Sequence, residues 1–229
     1  MKYCLKLLRL VTYGGAGAMG KVIATLLVAI SFMSAPLRAE TVHILALGDS
    51  LTQGYGLVER DGFVPQMRAW LADKGADVRV VNAGVSGDTS AGGLNRVEWS
   101  LTPEIDAMIV ALGGNDVLRG LDPAVTRKNI DGILAIAQAR GIKVLLIGLT
   151  APANYGPEYE QAFESIWPDM AEKYGVLMLP NWFAGMAGPP AEFQALMQAD
   201  GLHPNAAGVA QIVEGIGPKV LDLIQRVEG

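Results

Sequence analysis

From Val42 onward the chain alternates short apolar runs of β character with longer stretches that carry apolar residues at helical spacing. Such alternation is expected when parallel strands are covered by helices on both faces. The runs span Val42 to Leu47, Val78 to Asn82, Ala107 to Leu112, Lys143 to Gly148 and Val176 to Leu179, and each reads as a short apolar strand, uncharged inside, as strands covered on both sides should be. Between them, Phe63 to Lys74, Leu94 to Leu101, Pro123 to Arg140, Tyr159 to Lys173 and Ala206 to Val227 repeat apolar residues at the period of a helix. The pattern predicts one three-layer α/β/α domain with a short, mostly parallel five-stranded sheet over residues 40–229. In such a sheet ligands bind outside the carboxyl ends of the strands, so the strand exits are the places to look for chemistry.

The first 39 residues hold Lys2, Lys6, Arg9, Lys21 and Arg38 and no acidic residue, and the apolar run from Val22 to Ala35 is short for a membrane span. They read as a signal peptide cleaved near Ala39, with Met1 or Met19 as the start. The mature protein is then expected in the periplasm or outside the cell, without stable membrane insertion. Its removal leaves 13 basic against 23 acidic residues, a net charge of about −10 that opposes nucleic-acid binding. Cys4 is the sole cysteine and lies in the leader, so neither a disulfide nor a thiol nucleophile is expected in the mature chain. With only His43 and His203 besides and no H-E-x-x-H, a zinc centre lacks ligands, and no metal is expected.

Four strand or loop ends carry polar residues beside glycine. The first run ends in Gly48-Asp49-Ser50-Leu51, which puts a serine at a strand tip near free backbone N–H groups; a capping serine fits this string equally well. The second exits through Asn82-Ala83-Gly84, whose backbone N–H can approach a substrate closely, or which forms an ordinary βα turn. The third exits through Gly113-Gly114-Asn115-Asp116, where the Asn115 amide can donate to a developing oxyanion, or close an Asx turn. Ahead of the last helix stands Asp200-Gly201-Leu202-His203-Pro204: an imidazole suited to take a serine proton, and a carboxylate suited to orient it. His43 lies at the opposite end of the first strand and reads as structural.

Taken in order, these blocks resemble those of the SGNH (GDSL-type) hydrolases, and the resemblance spans the chain from first strand to last helix. Ser86-Gly87-Asp88-Thr89-Ser90, Leu118-Arg119-Gly120 and Pro152-Ala153-Asn154-Tyr155-Gly156 are most similar to the bacterial periplasmic thioesterase, lysophospholipase and arylesterase branch. The resemblance implies a flavodoxin-like SGNH fold and a cofactor-free serine esterase acting on a small acyl ester, thioester or lipid-like substrate. It also implies Ser50 as nucleophile, His203 as base, Asp200 as its orienting partner, and an oxyanion hole of the Ser50 and Gly84 N–H groups with the Asn115 amide. Leu118, Leu121 and the Tyr155 loop are expected to wall an acyl groove favouring medium chains, and a monomer is expected. The competing readings are a carbohydrate acetylesterase with the same triad and an α/β binding protein without chemistry. A glycosidase using Asp49 and Asp116 would leave His203 and the glycines unexplained.

Overall fold

The structure is a computed structural model that describes residues 41–186 and 188–229; the expected signal peptide lies outside the described residues. A five-stranded sheet runs through it: β1 (Val42–Gly48), β2 (Val78–Gly84), β3 (Ala107–Ala111), β4 (Lys143–Ile147) and β5 (Leu177–Leu179). Every neighbouring pair is parallel, in the order β2-β1-β3-β4-β5. The order reverses beside β1, and crossovers leave on opposite faces on its two sides, so the tip of β1 opens a crevice.

Side chains alternate through the sheet with the two-residue period of a strand. Ile44 and Ala46 of β1, Ile109 of β3 and Leu145 of β4 meet α2 (Phe63–Asp73) and α9 (Ala206–Glu228) on one face. Leu45, Leu47, Met108 and Leu146 meet α3 (Ser90–Ser100), α5 (Pro123–Ala139) and α7 (Ile166–Tyr174) on the other. The two outer strands depart from the expectation of uncharged, doubly buried runs. β2 forms an edge, exposing Arg79 and Asn82 while burying Val80, and all three residues of β5 are only half buried. An edge strand has one side open to water and tolerates a polar face.

The stretch Tyr159 to Lys173 forms two helices, α6 (Pro157–Glu164) and α7, separated at Ser165. Pro168 has no N–H to donate back to Glu164, so a continuous helix is interrupted there. Helix α3 starts four residues earlier than its apolar spacing suggests, capped by Thr89. Gly92 and Gly93 disguise that start; a Cβ on Gly93 would lie 2.2 Å from Leu112 Cδ1. Three short helices, α1 (Ser50–Gln53), α4 (Gly114–Leu118) and α8 (Pro190–Ala195), are too brief to show a period.

Beneath the strand exits lies a buried polar knot. The Asp116 carboxylate, fully buried on α4, accepts from the Ser90 N–H at 2.7 Å and from Thr126 Oγ1 at 3.0 Å, and also from the Ser90 hydroxyl. Asn129 donates to Ser90 Oγ at 2.9 Å. One carboxylate thereby fixes α4 to the start of α3 and to α5. Removing it strands buried donors, each costing about 1–3 kcal/mol. Asp116→Ala is expected to lower the unfolding free energy by about 2–5 kcal/mol in urea titrations; a loss below about 0.5 kcal/mol would mean that water or a neighbour replaces the carboxylate.

Candidate active site

β1 ends at Gly48, where any side chain would collide with Thr52 Oγ1 and the Ala111 carbonyl, at 2.0 and 2.9 Å. Asp49 then caps α1, its Oδ1 accepting the Leu51 N–H at 3.0 Å, and Ser50 is the first residue of that helix. The hydroxyl is thus presented at a helix amino end, among N–H groups without intrahelical partners. From the loop before α9, His203 Nε2 lies 2.9 Å from Ser50 Oγ, and His203 Nδ1 lies 2.7 Å from Asp200 Oδ2. A carboxylate only accepts; in the neutral imidazole Nδ1 therefore carries the proton, and Nε2 is free to accept from the Ser50 hydroxyl.

Asp200 also accepts, at Oδ1, the backbone N–H groups of Leu202 and His203 at 2.9 and 3.0 Å. The His203 ring and these N–H groups hold its carboxyl down at about 2 although it is exposed to solvent. It remains an anion across any ordinary assay pH.

Asn115, on α4, faces the same space, its amide nitrogen making a long hydrogen bond of 3.4 Å to Asp49 Oδ2. Gly84 does not reach it. It is the last residue of β2, its N–H donates to Asn82 Oδ1 at 2.9 Å, and a Cβ there would meet Gln53 N at 2.3 Å. Its bareness lets α1 lie against β2. Because β2 runs two residues beyond the expected Asn82, the glycine at the site is Gly87, which lines the cavity with Ser50 and Asn115. Gly87 has a φ of +84°, a conformation that a side chain would strain. The Gly87–Asp88 peptide is held at both ends: the carbonyl accepts from Arg119 Nη2 at 2.8 Å and the Asp88 N–H donates to Val85 O at 3.0 Å. The mostly buried Arg96 secures the same loop, donating to Asp88 Oδ2 at 2.7 Å, Ala83 O at 2.7 Å and Gly48 O at 2.8 Å.

A cavity of about 400 Å³ opens here, with Leu51, Tyr55, Val117, Leu118, Leu149 and Phe183 in its wall beside Ser50 and His203. Of the expected groove residues, Leu118 is present, half exposed. Leu121 and Tyr155 stand apart from it. The Leu121 carbonyl accepts from Tyr159 at 2.7 Å, and the Tyr155 ring stacks on Tyr159, centroids 4.8 Å apart, above Gly120. Pro152 and Thr150 of the same loop do line the cavity. Tyr55, with no motif around it to single it out, sits in the wall with its ring 4.7 Å from that of His203. A second cavity of about 360 Å³ lies at the other end of the sheet, around Lys143 and Arg226, and contains neither serine nor histidine. His43 is at that end too, bonding the Glu104 carbonyl at 3.0 Å. Nor do Asp49 and Asp116 form a pair across the cleft, since Asp116 is wholly enclosed in the polar knot.

The family model described as the GDSL-like lipase/acylhydrolase family matches residues 46–211, which include all of these strand exits and the Asp200–His203 loop. This chain belongs to that family. Among its relatives, the esterase TesA of Pseudomonas aeruginosa is 40% identical over 188 residues, covering 82% of this chain and 92% of that protein. The thioesterase 1/protease 1/lysophospholipase L1 of Escherichia coli K12 is 36% identical over 200 residues, covering 86% and 90%. The crystal structure of AlinE4, an SGNH-hydrolase family esterase, superposes with a TM-score of 0.66 at 41% identity, over 80% of this chain and 97% of that one. The enzyme is thus a carboxylic ester hydrolase on the flavodoxin-like SGNH fold.

Asp49 carries an electrostatic strain within this hydrolase. Burial pushes its carboxyl up from 3.8 to about 6, against the Leu51 N–H, the neighbouring His203 ring and the Asn115 amide, which favour the anion. The folded state therefore holds this proton more tightly than the unfolded state. Stability present below about pH 4 is lost as pH rises to about 6, on the order of 2–3 kcal/mol. Asn at this position keeps an acceptor for the Leu51 N–H and does not ionise. Asp49→Asn is expected to gain that amount relative to the parent enzyme between pH 3.5 and 7.5 in paired denaturant titrations, whereas a pH-independent difference would show that Asp49 ionises without cost.

Proposed function

We propose that Ser50 is the nucleophile, His203 the general base and then acid, and Asp200 the group that fixes the imidazole tautomer. The observation that carries this reading is the unbroken chain Asp200–His203–Ser50, at 2.7 and 2.9 Å, opening into an apolar cavity. Ser50 Oγ attacks the acyl carbonyl while Nε2 takes its proton. The alcohol or thiol leaves with that proton, and water, activated by the same nitrogen, releases the acid. The oxyanion is received by the N–H groups of Ser50 and Gly87 and the Asn115 amide, donors already in place before charge develops. Asp200 holds its charge throughout, so the imidazolium forms beside a fixed anion.

Ser50→Ala is expected to abolish ester hydrolysis and fluorophosphonate labelling with folding intact, and His203→Ala to be about as damaging. Asn115→Ala should lower kcat by roughly 10²- to 10³-fold with little change in KM. Labelling that survives in the Ser50 variant would move the nucleophile elsewhere, and an effect of Asn115 confined to KM would make it a substrate contact.

The substrates proposed are single acyl esters and thioesters with lipid-like or aryl leaving groups, a range supported by relatives named esterase, arylesterase and thioesterase/lysophospholipase. The aliphatic and aromatic wall of the cavity supports this, as does its size, which suits a medium acyl chain rather than a triglyceride. The enzyme is proposed to act as a monomer outside the cytoplasm, in keeping with a triad supplied by one chain and a basic, apolar leader. Each buried methylene contributes about 0.8 kcal/mol, so Leu118→Asn and Phe183→Ala should each flatten the rise in kcat/KM from acetyl to octanoyl nitrophenyl esters while sparing the acetyl ester. Unchanged profiles in both variants, or a parent enzyme faster on acetylated xylan than on octanoyl esters, would replace this substrate class.

A further inference from the structure

The base of the triad sits on a loop outside the sheet, yet its ring must hold a hydrogen bond to a serine that departs from β1. A closed circuit of contacts links the two. The Tyr55 N–H donates to the Ser50 carbonyl at 3.1 Å. The Tyr55 carbonyl accepts from Gln198 Nε2 at 2.8 Å, and the same amide donates to the Pro204 carbonyl at 3.0 Å. The Gln198 backbone N–H then donates to the His203 carbonyl at 2.7 Å, while its carbonyl accepts the Gly201 N–H at 3.0 Å. His203 Nε2 returns to Ser50 Oγ, and the Tyr55 ring lies tilted against the imidazole. Gly56, at a φ of +74°, leaves room for this amide, because a Cβ there would fall 2.2 Å from Gln198 Oε1.

We propose that Gln198 is a positioning residue for the reaction: its side-chain amide, bridging the Tyr55 and Pro204 carbonyls, locks the His203 loop to the Ser50 segment. The inference rests on the reading of His203 as the base. An amide suits the task because both its N–H groups donate and neither titrates, so the brace keeps its geometry over the whole working range of the imidazole. It touches the backbone on either side of the catalytic pair and touches no reacting atom. A misplacement of about 1 Å between base and nucleophile is enough for a loss near 10²-fold, while a half-buried hydrogen bond contributes little to global stability.

The test compares Gln198→Ala and Gln198→Met with the parent enzyme and with His203→Ala, using a nitrophenyl butyrate assay, thermal melting and proton NMR. Both Gln198 variants are expected to lose kcat by about 10- to 100-fold with KM within about twofold, and to melt only about 2–4 °C lower. The downfield imidazole proton shared by His203 and Asp200 should broaden in both. Methionine matches the length of glutamine without its donors. Parent-like kcat in Gln198→Met, or in both variants, would overturn the inference, as would a loss confined to KM or a collapse in melting temperature. If instead His203→Ala retained activity, the reading of the base would fail, and the brace with it; activity lost in His203→Ala but kept in the Gln198 variants would refute the brace alone.

Discussion

The register of β1 between its two neighbours decides where the chemistry falls. Gly48 is level with Gly84 on one side and Ala111 on the other, so three chains leave the sheet at one height. Each then turns over a glycine-containing exit, delivering Ser50, Gly87 and Asn115 to the same space. A shift of one residue in β1 would exchange Ile44 and Ala46 with Leu45 and Leu47 across the sheet and carry Ser50 away from Asn115. The two apolar layers that enforce the register, Ile44 and Ala46 against α2 and α9 and Leu45 and Leu47 against α3 and α5, are thus the foundation of the site.

Buried charge holds what the register delivers. Arg96 bonds the carbonyl of Gly48 at the tip of β1, that of Ala83 on β2, and the carboxylate beside Gly87. Asp116 joins α4, which bears Asn115, to the start of α3, which follows the Gly87 loop. These ions sit in low dielectric with their hydrogen-bonding capacity engaged, the condition under which a buried charge specifies geometry rather than disrupting it. Asp49 differs. Its burial favours the protonated form, and it remains tolerated because the Leu51 N–H and the Asn115 amide both donate hydrogen bonds to its carboxylate.

Much of this could be read from the sequence because the decisive residue types are scarce. Of two histidines, one begins β1 and the other follows a carboxylate by three residues, so elimination as well as surroundings single out His203 as the proposed base. The strands were legible where both faces are buried, as in β3, and less so at the edges, where Arg79 interrupts an apolar run without ending the strand. Gly84 and Gly87 illustrate the limit at the site. Both are glycines in one exit, and which of them faces the cavity depends on whether β2 stops at Asn82 or continues to Gly84. Two further ladder positions settle that, and they depend on β1 as a partner rather than on local propensity. Tyr155 departs from expectation for a similar reason: the chain reaches the cavity through Thr150 and Pro152, but the Tyr155 ring stacks on Tyr159, four residues on, at the start of α6. Tyr55 and Gln198 carry no local signature, since their significance lies in a meeting of segments 143 residues apart.

The distribution of rigidity follows from these attachments. The side of the cavity proposed to receive the oxyanion is built on strand tips, a buried arginine and a buried carboxylate, all anchored in the packed core. The side proposed for acid–base work is a loop whose carboxylate faces water and whose imidazole is held by that carboxylate, by the Ser50 hydroxyl and by one ring contact. Preorganised donors gain their full effect only if they do not reorient as charge appears, which suits the rigid side. The proton carrier proposed here, serving first the serine, then the leaving group and finally water, requires small movements of the ring, which suits a braced loop better than a strand. On the proposed mechanism the fold gives each half of the site the stiffness its chemistry needs: fixed dipoles from the sheet, and a tethered base from the loop before α9.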